Sequence, residues 1–132
     1  MIDKIWQHKN MKESFLGAFK GLATVIKTER NAKIIFIIGL IVITIGICIN
    51  LSGDELAILI LVTVGVFVCE VFNTLVENIL DIIKPGYDTK VKILKDIASS
   101  SVLLSSLGAL AIGLIIFLPK IPLLYQCLVF SQ

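Results

Sequence analysis

Leu56-Ala-Ile-Leu-Ile-Leu-Val-Thr-Val-Gly-Val-Phe-Val-Cys-Glu70-Val-Phe-Asn73-Thr-Leu-Val-Glu77-Asn-Ile-Leu80 decides how this chain is built. Residues 56–69 carry no charge, and the whole stretch exceeds the roughly 20 residues that a helix needs to cross a bilayer. An acid beside lipid costs on the order of 2.5–3.5 kcal/mol at the bilayer centre. This stretch nevertheless keeps Glu70 and Glu77, with Asn73 between them and Asp81 just past its end. At about 100° per residue, Glu77 and Asp81 fall about 20° to either side of Glu70, and Asn73 about 60° away. The four polar groups therefore share one face over three turns, a pattern that points to chemistry rather than passive anchoring.

Their depth points the same way. At about 1.5 Å per residue, Glu70 lies roughly 21 Å from Leu56 and Glu77 roughly 31 Å, against a hydrocarbon core about 30 Å thick. Glu77 reaches the headgroup level and Glu70 sits just inside it, where a water-soluble donor and a lipid headgroup can meet.

Working outward, two further apolar runs can cross a membrane: Ile34–Leu51, preceded by Arg30 and Lys33, and Ile97–Leu118, closed by Pro119-Lys120. The link Ser52-Gly53-Asp54-Glu55 reads as a tight turn bearing only acids. The link 81–96 carries Lys84, Lys90, Lys92 and Lys95 around a Pro85-Gly86 turn signal. Lysine and arginine bias sets orientation, so the N-terminus and the 81–96 loop are expected in the cytoplasm, and the 52–55 turn and C-terminus outside. Over residues 11–28, Phe15, Phe19, Leu22 and Ile26 recur at helical spacing opposite Lys12, Lys20 and Lys27. That predicts an amphipathic helix in the cytoplasmic interface, with Trp6 as an interfacial anchor and Gly17 and Gly21 permitting close helix approach. Ser105, Ala109 and Gly113 line one face of the last span with small residues. The apolar tail 121–132 is expected on the outer leaflet. The expected fold is an all-α membrane protein: one membrane domain over 1–132, a surface helix at 11–28 and transmembrane spans at 34–51, 56–80 and 97–118.

Composition agrees. The chain is 57% hydrophobic and 17% charged, with mean hydropathy +0.98, whereas soluble domains are about 45–50% apolar and about 25% charged. Residues 1–33 hold seven Lys/Arg against three acids. No basic stripe is interleaved with stacking aromatics, so a nucleic-acid partner is not expected. Cys48, Cys69 and Cys127 are far apart and His8 is the sole histidine, which argues against a zinc site. The first apolar run starts too late for a secretory signal. No Walker loop or Gly-x-Gly-x-x-Gly turn is present.

Further polar groups are expected at the level of Glu77. Glu29 precedes the first span, and Lys95-Asp96 opens the last, followed by Ser99, Ser100 and Ser101. Magnesium takes oxygen ligands, commonly one or two carboxylates plus substrate phosphates. Lysine suits a phosphate as a point charge, and a glutamate at the membrane surface suits a general base. The set fits metal-assisted phosphoryl transfer to a lipid hydroxyl. Boundary charges at a span end, and serines that only pack, are the plainer readings of Glu77, Asp81, Lys95 and Ser99.

Ala18-Phe19-Lys20-Gly21-Leu22, Glu29-Arg30-Asn31-Ala32, Glu70-x-x-Asn73-x-x-x-Glu77 and Lys95-Asp96-x-Ala98-Ser99 occur here in an order and spacing that resemble the prokaryotic diacylglycerol kinase family over most of residues 14–118. The resemblance implies a multi-pass protein of the bacterial cell membrane. It implies a homotrimer with active sites shared between subunits, and transfer of the γ-phosphoryl group of ATP, with Mg2+, to a membrane lipid alcohol. By the same resemblance, Glu29 and Glu77 hold the metal and, with Asn73, Tyr87, Lys95 and Asp96, the nucleotide. Glu70 is the catalytic base facing the lipid hydroxyl, and Ser99 lies near that lipid. In the loop Pro85-Gly86-Tyr87-Asp88, Gly86 and Asp88 stand where the family usually has Glu and His. The family divides between undecaprenol and diacylglycerol kinases. The Phe-Lys-Gly…Ile-Lys-Thr-Glu-Arg-Asn run resembles Gram-positive members, which implies undecaprenol as acceptor with diacylglycerol as the alternative. Outside the class, a small membrane transporter would place its acid near mid-bilayer, and a structural membrane subunit would leave the polar stripe without a role.

Overall fold

A computed structural model describes residues 10–122. Trp6, His8, Cys127 and the tail from residue 123 lie outside the described residues. The order is α1 (Met11–Thr28), α2 (Arg30–Cys48), α3 (Gly53–Ile83) and α4 (Thr89–Phe117), closed by a 3₁₀ turn at Leu118–Lys120. The described residues contain no strand. Helices α2, α3 and α4 are each long and apolar enough to cross a membrane. Large side chains such as Leu61, Phe72, Leu104 and Ile115 are exposed, and the buried apolar core is small: Ala32, Leu59, Val66 and Ile116. In water such a surface would drive aggregation; in a bilayer it is the lipid-facing side.

Helix α3 is the centre, packing on α4 and on α2. Between α2 and α4 runs an apolar groove of about 470 Å³ floored by Leu59, Thr63 and Val66 of α3. The antiparallel register of α2 on α3 is set by three contacts. A Cβ on Gly39 would come within 2.5 Å of Thr63 Cγ2, and one on Gly46 within 3.1 Å of Leu59. Phe36 and Phe67 meet with ring centroids 5.7 Å apart. Continued toward the start of α2, this register brings Ala32 level with Glu70 and Glu29 level with Asn73 and Thr74.

The α2–α3 connection falls three residues earlier than expected, at 49–52 rather than 52–55. Asn50 takes φ 54°, a left-handed conformation that asparagine tolerates. The N–H groups of Asn50 and Leu51 donate to the carbonyls of Ile47 and Gly46 at 3.0 and 3.1 Å, closing α2 with a Schellman motif. Ser52 then caps α3: its hydroxyl accepts from Glu55 N at 3.3 Å while its own N–H donates to Glu55 Oε2 at 2.9 Å. Gly53, Asp54 and Glu55, expected in the linking turn, instead form the first turn of α3, where acids complement the helix dipole.

The 31 residues of α3 span about 46 Å at about 1.5 Å per residue, well beyond a core about 30 Å thick. Glu55 and Lys120 form a 3.3 Å ion pair at one end of the α3–α4 pair. With that pair at one water boundary, the excess length projects at the other end, which carries Glu77 and Asp81.

Candidate active site

Glu70, Asn73 and Thr74 are the buried polar residues among those described, with 3%, 7% and 7% of their surface exposed. Glu70 and Asn73 face inward because they lie three residues apart on α3, on the stripe read from the sequence. Ala32, fully buried on α2, is level with Glu70, and its small side chain lets α2 approach there. One turn beyond Asn73, Glu77 is half-buried. Asn73 Nδ2 donates a hydrogen bond to Glu77 Oε1 at 3.0 Å. The other end of that amide, Asn73 Oδ1, is buried without a hydrogen-bond partner. Such an orphan acceptor costs about 1–3 kcal/mol unless a ligand supplies the donor or cation.

Glu29 is the single extended residue between α1 and α2, with φ −96° and ψ 119°. Its N–H closes α1 on the Val25 carbonyl at 2.9 Å, and its own carbonyl accepts from Lys33 N at 3.2 Å to start α2. The break thus fixes Glu29 in place and half-buries it. Glu29 and Glu77 thus both lie within electrostatic range of the buried Glu70, close enough to act on it as like charges. Among the described residues, no three His, Cys, Asp or Glu side chains converge closely enough to hold a metal ion by themselves. Hard oxygen donors from two carboxylates and an orphaned amide oxygen fit magnesium when substrate phosphates complete the shell.

The sequence placed Lys95 and Asp96 beside these acids, and the structure separates the two. Lys95 Nζ donates to Asp81 Oδ1 at 2.6 Å, joining α4 to α3 one turn beyond Glu77. Asp96 is exposed, and Ser99, also exposed, turns its hydroxyl onto the Asp96 carbonyl at 3.0 Å. Ser100 and Ser101 bond back to their own helix in the same way. Neither Asp96 nor Ser99 makes a side-chain bond to the carboxylates among the described residues. Asp81 was visible on the stripe without an assigned role; its spacing of four residues from Glu77 was the available signal.

Tyr87 is 85% exposed on the 84–88 loop. The two departures of this loop from the family pattern have local causes. Gly86 takes φ 101°, where a side chain would be strained. Asp88 caps α4, its Oδ1 accepting from Lys90 N at 2.7 Å and Val91 N at 3.2 Å, and it pairs with Lys84. That pairing, with the two backbone donors, holds the Asp88 carboxyl below the usual carboxylate range.

A cleft of about 520 Å³ separates α1 from α3, lined by Gly21, Leu22 and Val25 on one side and Val71, Thr74 and Asn78 on the other. Its α3 wall includes Thr74, the residue next to Asn73. Sequence periodicity did not reveal it, although the Gly17 and Gly21 pair marked the α1 face concerned.

The prokaryotic diacylglycerol kinase family model matches residues 17–117. A diacylglycerol kinase of Synechocystis sp. (strain ATCC 27184 / PCC 6803 / Kazusa) is 34% identical over 118 residues, covering 88% of this chain and 67% of that protein. An undecaprenol kinase of Bacillus subtilis (strain 168) is 33% identical over 109 residues, covering 83% of this chain and 89% of that protein. The matched region takes in the polar stripe of α3, the Glu29 break and Lys95, and the chain belongs to the prokaryotic diacylglycerol kinase family, as a membrane kinase acting on a lipid.

Proposed function

We propose that the protein transfers the γ-phosphoryl group of ATP to the primary hydroxyl of undecaprenol at the cytoplasmic face of the bacterial cell membrane. The observation that carries this reading is the buried pair Glu70 and Asn73, with Asn73 tied to Glu77 and its Oδ1 left open. Glu70, the deeper acid, takes the proton of the lipid hydroxyl. The hydroxyl oxygen forms the new bond to the γ-phosphorus, the bond from that phosphorus to the β–γ bridging oxygen breaks, and ADP leaves. Glu77 and Glu29 hold Mg2+, which neutralises phosphate charge when bound. Asn73 orients Glu77, and Lys95 gives the phosphates a point charge. Asp96 and Tyr87 contact the nucleotide and Ser99 the lipid. In one copy Tyr87 is exposed, and the side chains of Asp96 and Ser99 bond to none of these carboxylates among the described residues; a homotrimer whose sites are completed between subunits would supply the missing contacts.

Diacylglycerol is the second reading for the acceptor, favoured by the Synechocystis relative. The undecaprenol reading is supported by the fuller match in length to the Bacillus subtilis protein. The test offers both lipids in competition to the purified protein with magnesium and γ-labelled ATP. Label chiefly in undecaprenol is expected. Label chiefly in diacylglycerol reverses the acceptor, and unlabelled lipid in every reaction sinks the assignment of this chemistry.

A further inference from the structure

We infer that Asp81 is a positioning residue that holds Lys95 toward the acidic end of α3, so that its ammonium is ready for the phosphates of the nucleotide. The inference rests on the reading of Lys95 as a phosphate contact. Lys95 Nζ lies 2.6 Å from Asp81 Oδ1, and this ion pair is the interhelical one at the Glu77 end of the bundle among the described residues. The other two ion pairs lie within the 84–88 loop and at the opposite end of the bundle.

Three features give the pair a directional role. Asp81 is four residues beyond Glu77 on the same face, so the bridge draws the ammonium to within about one helical turn of that carboxylate. Lys95 is the less exposed partner, at 31% against 61% for the Asp81 side chain. An ammonium has three donors; Asp81 Oδ1 takes one, which leaves others for phosphate oxygens. Without Asp81, a lysine with four rotatable bonds and no other side-chain partner among the described residues is free to turn toward water. Asp81 also repels phosphate, but an acid this exposed is screened by solvent. Orientation of Lys95 outweighs that repulsion.

The pair also sets a register. With Asp81 opposite Lys95 in an antiparallel hairpin, Ser99 comes level with Glu77 and Ser106 with Glu70. Asp81 itself lies eleven residues from Glu70 and four from Glu77, nearer the nucleotide end of the site.

The test compares Asp81→Ala, Asp81→Glu, Lys95→Ala and the double variant in the full-length protein in lipid or detergent, by steady-state kinetics with MgATP and a saturating lipid alcohol. Asp81→Ala is expected to raise KM for MgATP about three- to fivefold, the range of a partly exposed ion pair, with kcat within about twofold. Asp81→Glu should recover most of the change. The double variant should be no worse than Lys95→Ala alone, because the two act through one contact. A fall in KM for Asp81→Ala would make Asp81 a competitor for Lys95 and overturn the inference, as would additive losses in the double variant. If Lys95→Ala itself leaves KM for MgATP unchanged, the phosphate role of Lys95 fails. If Lys95→Ala raises KM and Asp81→Ala does not, only the positioning role fails. Binding of a fluorescent ATP analogue, read beside thermal melting, separates weaker binding from misfolding.

Discussion

Asn73 and Glu77 are joined across one turn of α3 by a 3.0 Å hydrogen bond that consumes the amide N–H and leaves Asn73 Oδ1 buried and unpartnered. Replacing Asn73 by alanine removes a hydrogen bond worth about 1 kcal/mol and also an orphan acceptor that costs about 1–3 kcal/mol. Asn73→Ala is therefore expected to melt no lower than the parent protein. Its activity should fall about 10- to 100-fold, as when a ligand loses its orienting partner. Melting in detergent by circular dichroism and lipid phosphorylation on the same samples check the two halves. Loss of stability in step with activity would assign Asn73 to packing.

Glu70 and Glu77 have different surroundings, and this separates their expected roles. Glu70 is almost fully buried and level with Ala32, while Glu77 is half-exposed and hydrogen-bonded to Asn73. Glu70→Gln is expected to lower kcat about 10²- to 10⁴-fold, the usual span for loss of a general base, with MgATP binding retained. Glu77→Gln is expected to weaken MgATP binding and to respond to raised magnesium. Equal losses of nucleotide affinity in both variants would refute this division of labour.

Why the stripe could be read from sequence, and its partners less so, follows from geometry. Glu70, Asn73 and Glu77 lie on one helix, so their relation depends only on helical repeat. The approach of Glu29 depends on how α2 slides along α3, which Gly39 against Thr63 and Phe36 against Phe67 determine. Periodicity does not encode that slide; the sequence set Glu29 near the level of Glu77 only by its place before the first span. The Lys95–Asp81 pair depends in the same way on the length of the hairpin loop. Ser52-Gly53-Asp54-Glu55 is the opposite case. Its Ser-x-x-Glu spacing is a helix-start signature, yet its lack of apolar residues reads as a link between spans, and the capping box overrules that reading. Three spans were legible because nothing but a bilayer accommodates apolar runs of that length.

Asp88 gives a pH-dependent prediction outside the membrane. Its carboxyl is held below the usual range by Lys84 first, then by the N–H groups of Val91 and Lys90. A group with a lowered folded pKa stabilises the fold fully above its unfolded value of about 3.9 and loses that contribution as pH falls through the lower folded value. The Lys90 and Val91 amide resonances, which report the capping bonds, should therefore titrate with a midpoint below that of an ordinary aspartate. Lys84→Ala should raise the midpoint. A midpoint at the ordinary value in the parent protein would show that Lys84 and the two backbone N–H groups do not favour the charged carboxyl.

Gly39 and Gly46 both lie on the α2 face that meets α3, yet they should respond differently to alanine. A Cβ at Gly39 would stand 2.5 Å from Thr63 Cγ2. Thr63 is a stiff β-branched residue, and its hydroxyl is already committed to the Leu59 carbonyl at 2.7 Å. A Cβ at Gly46 would meet the ends of Leu51, Leu59 and Leu56 at 3.0, 3.1 and 3.6 Å, and leucine side chains can shift by a few tenths of an ångström. Gly39→Ala is thus expected to cost about 1–3 kcal/mol, as overpacking does. Gly46→Ala should be near neutral, since relief of the glycine penalty of about 0.5–1 kcal/mol offsets the tighter contact. Because the α2–α3 register also carries Glu29 to the level of Asn73, Gly39→Ala should in addition raise KM for MgATP, and Gly46→Ala should not. Paired melting curves and MgATP titrations decide it. Equal behaviour of the two variants would mean that the Gly39–Thr63 contact does not fix the register on which the Glu29 carboxylate depends.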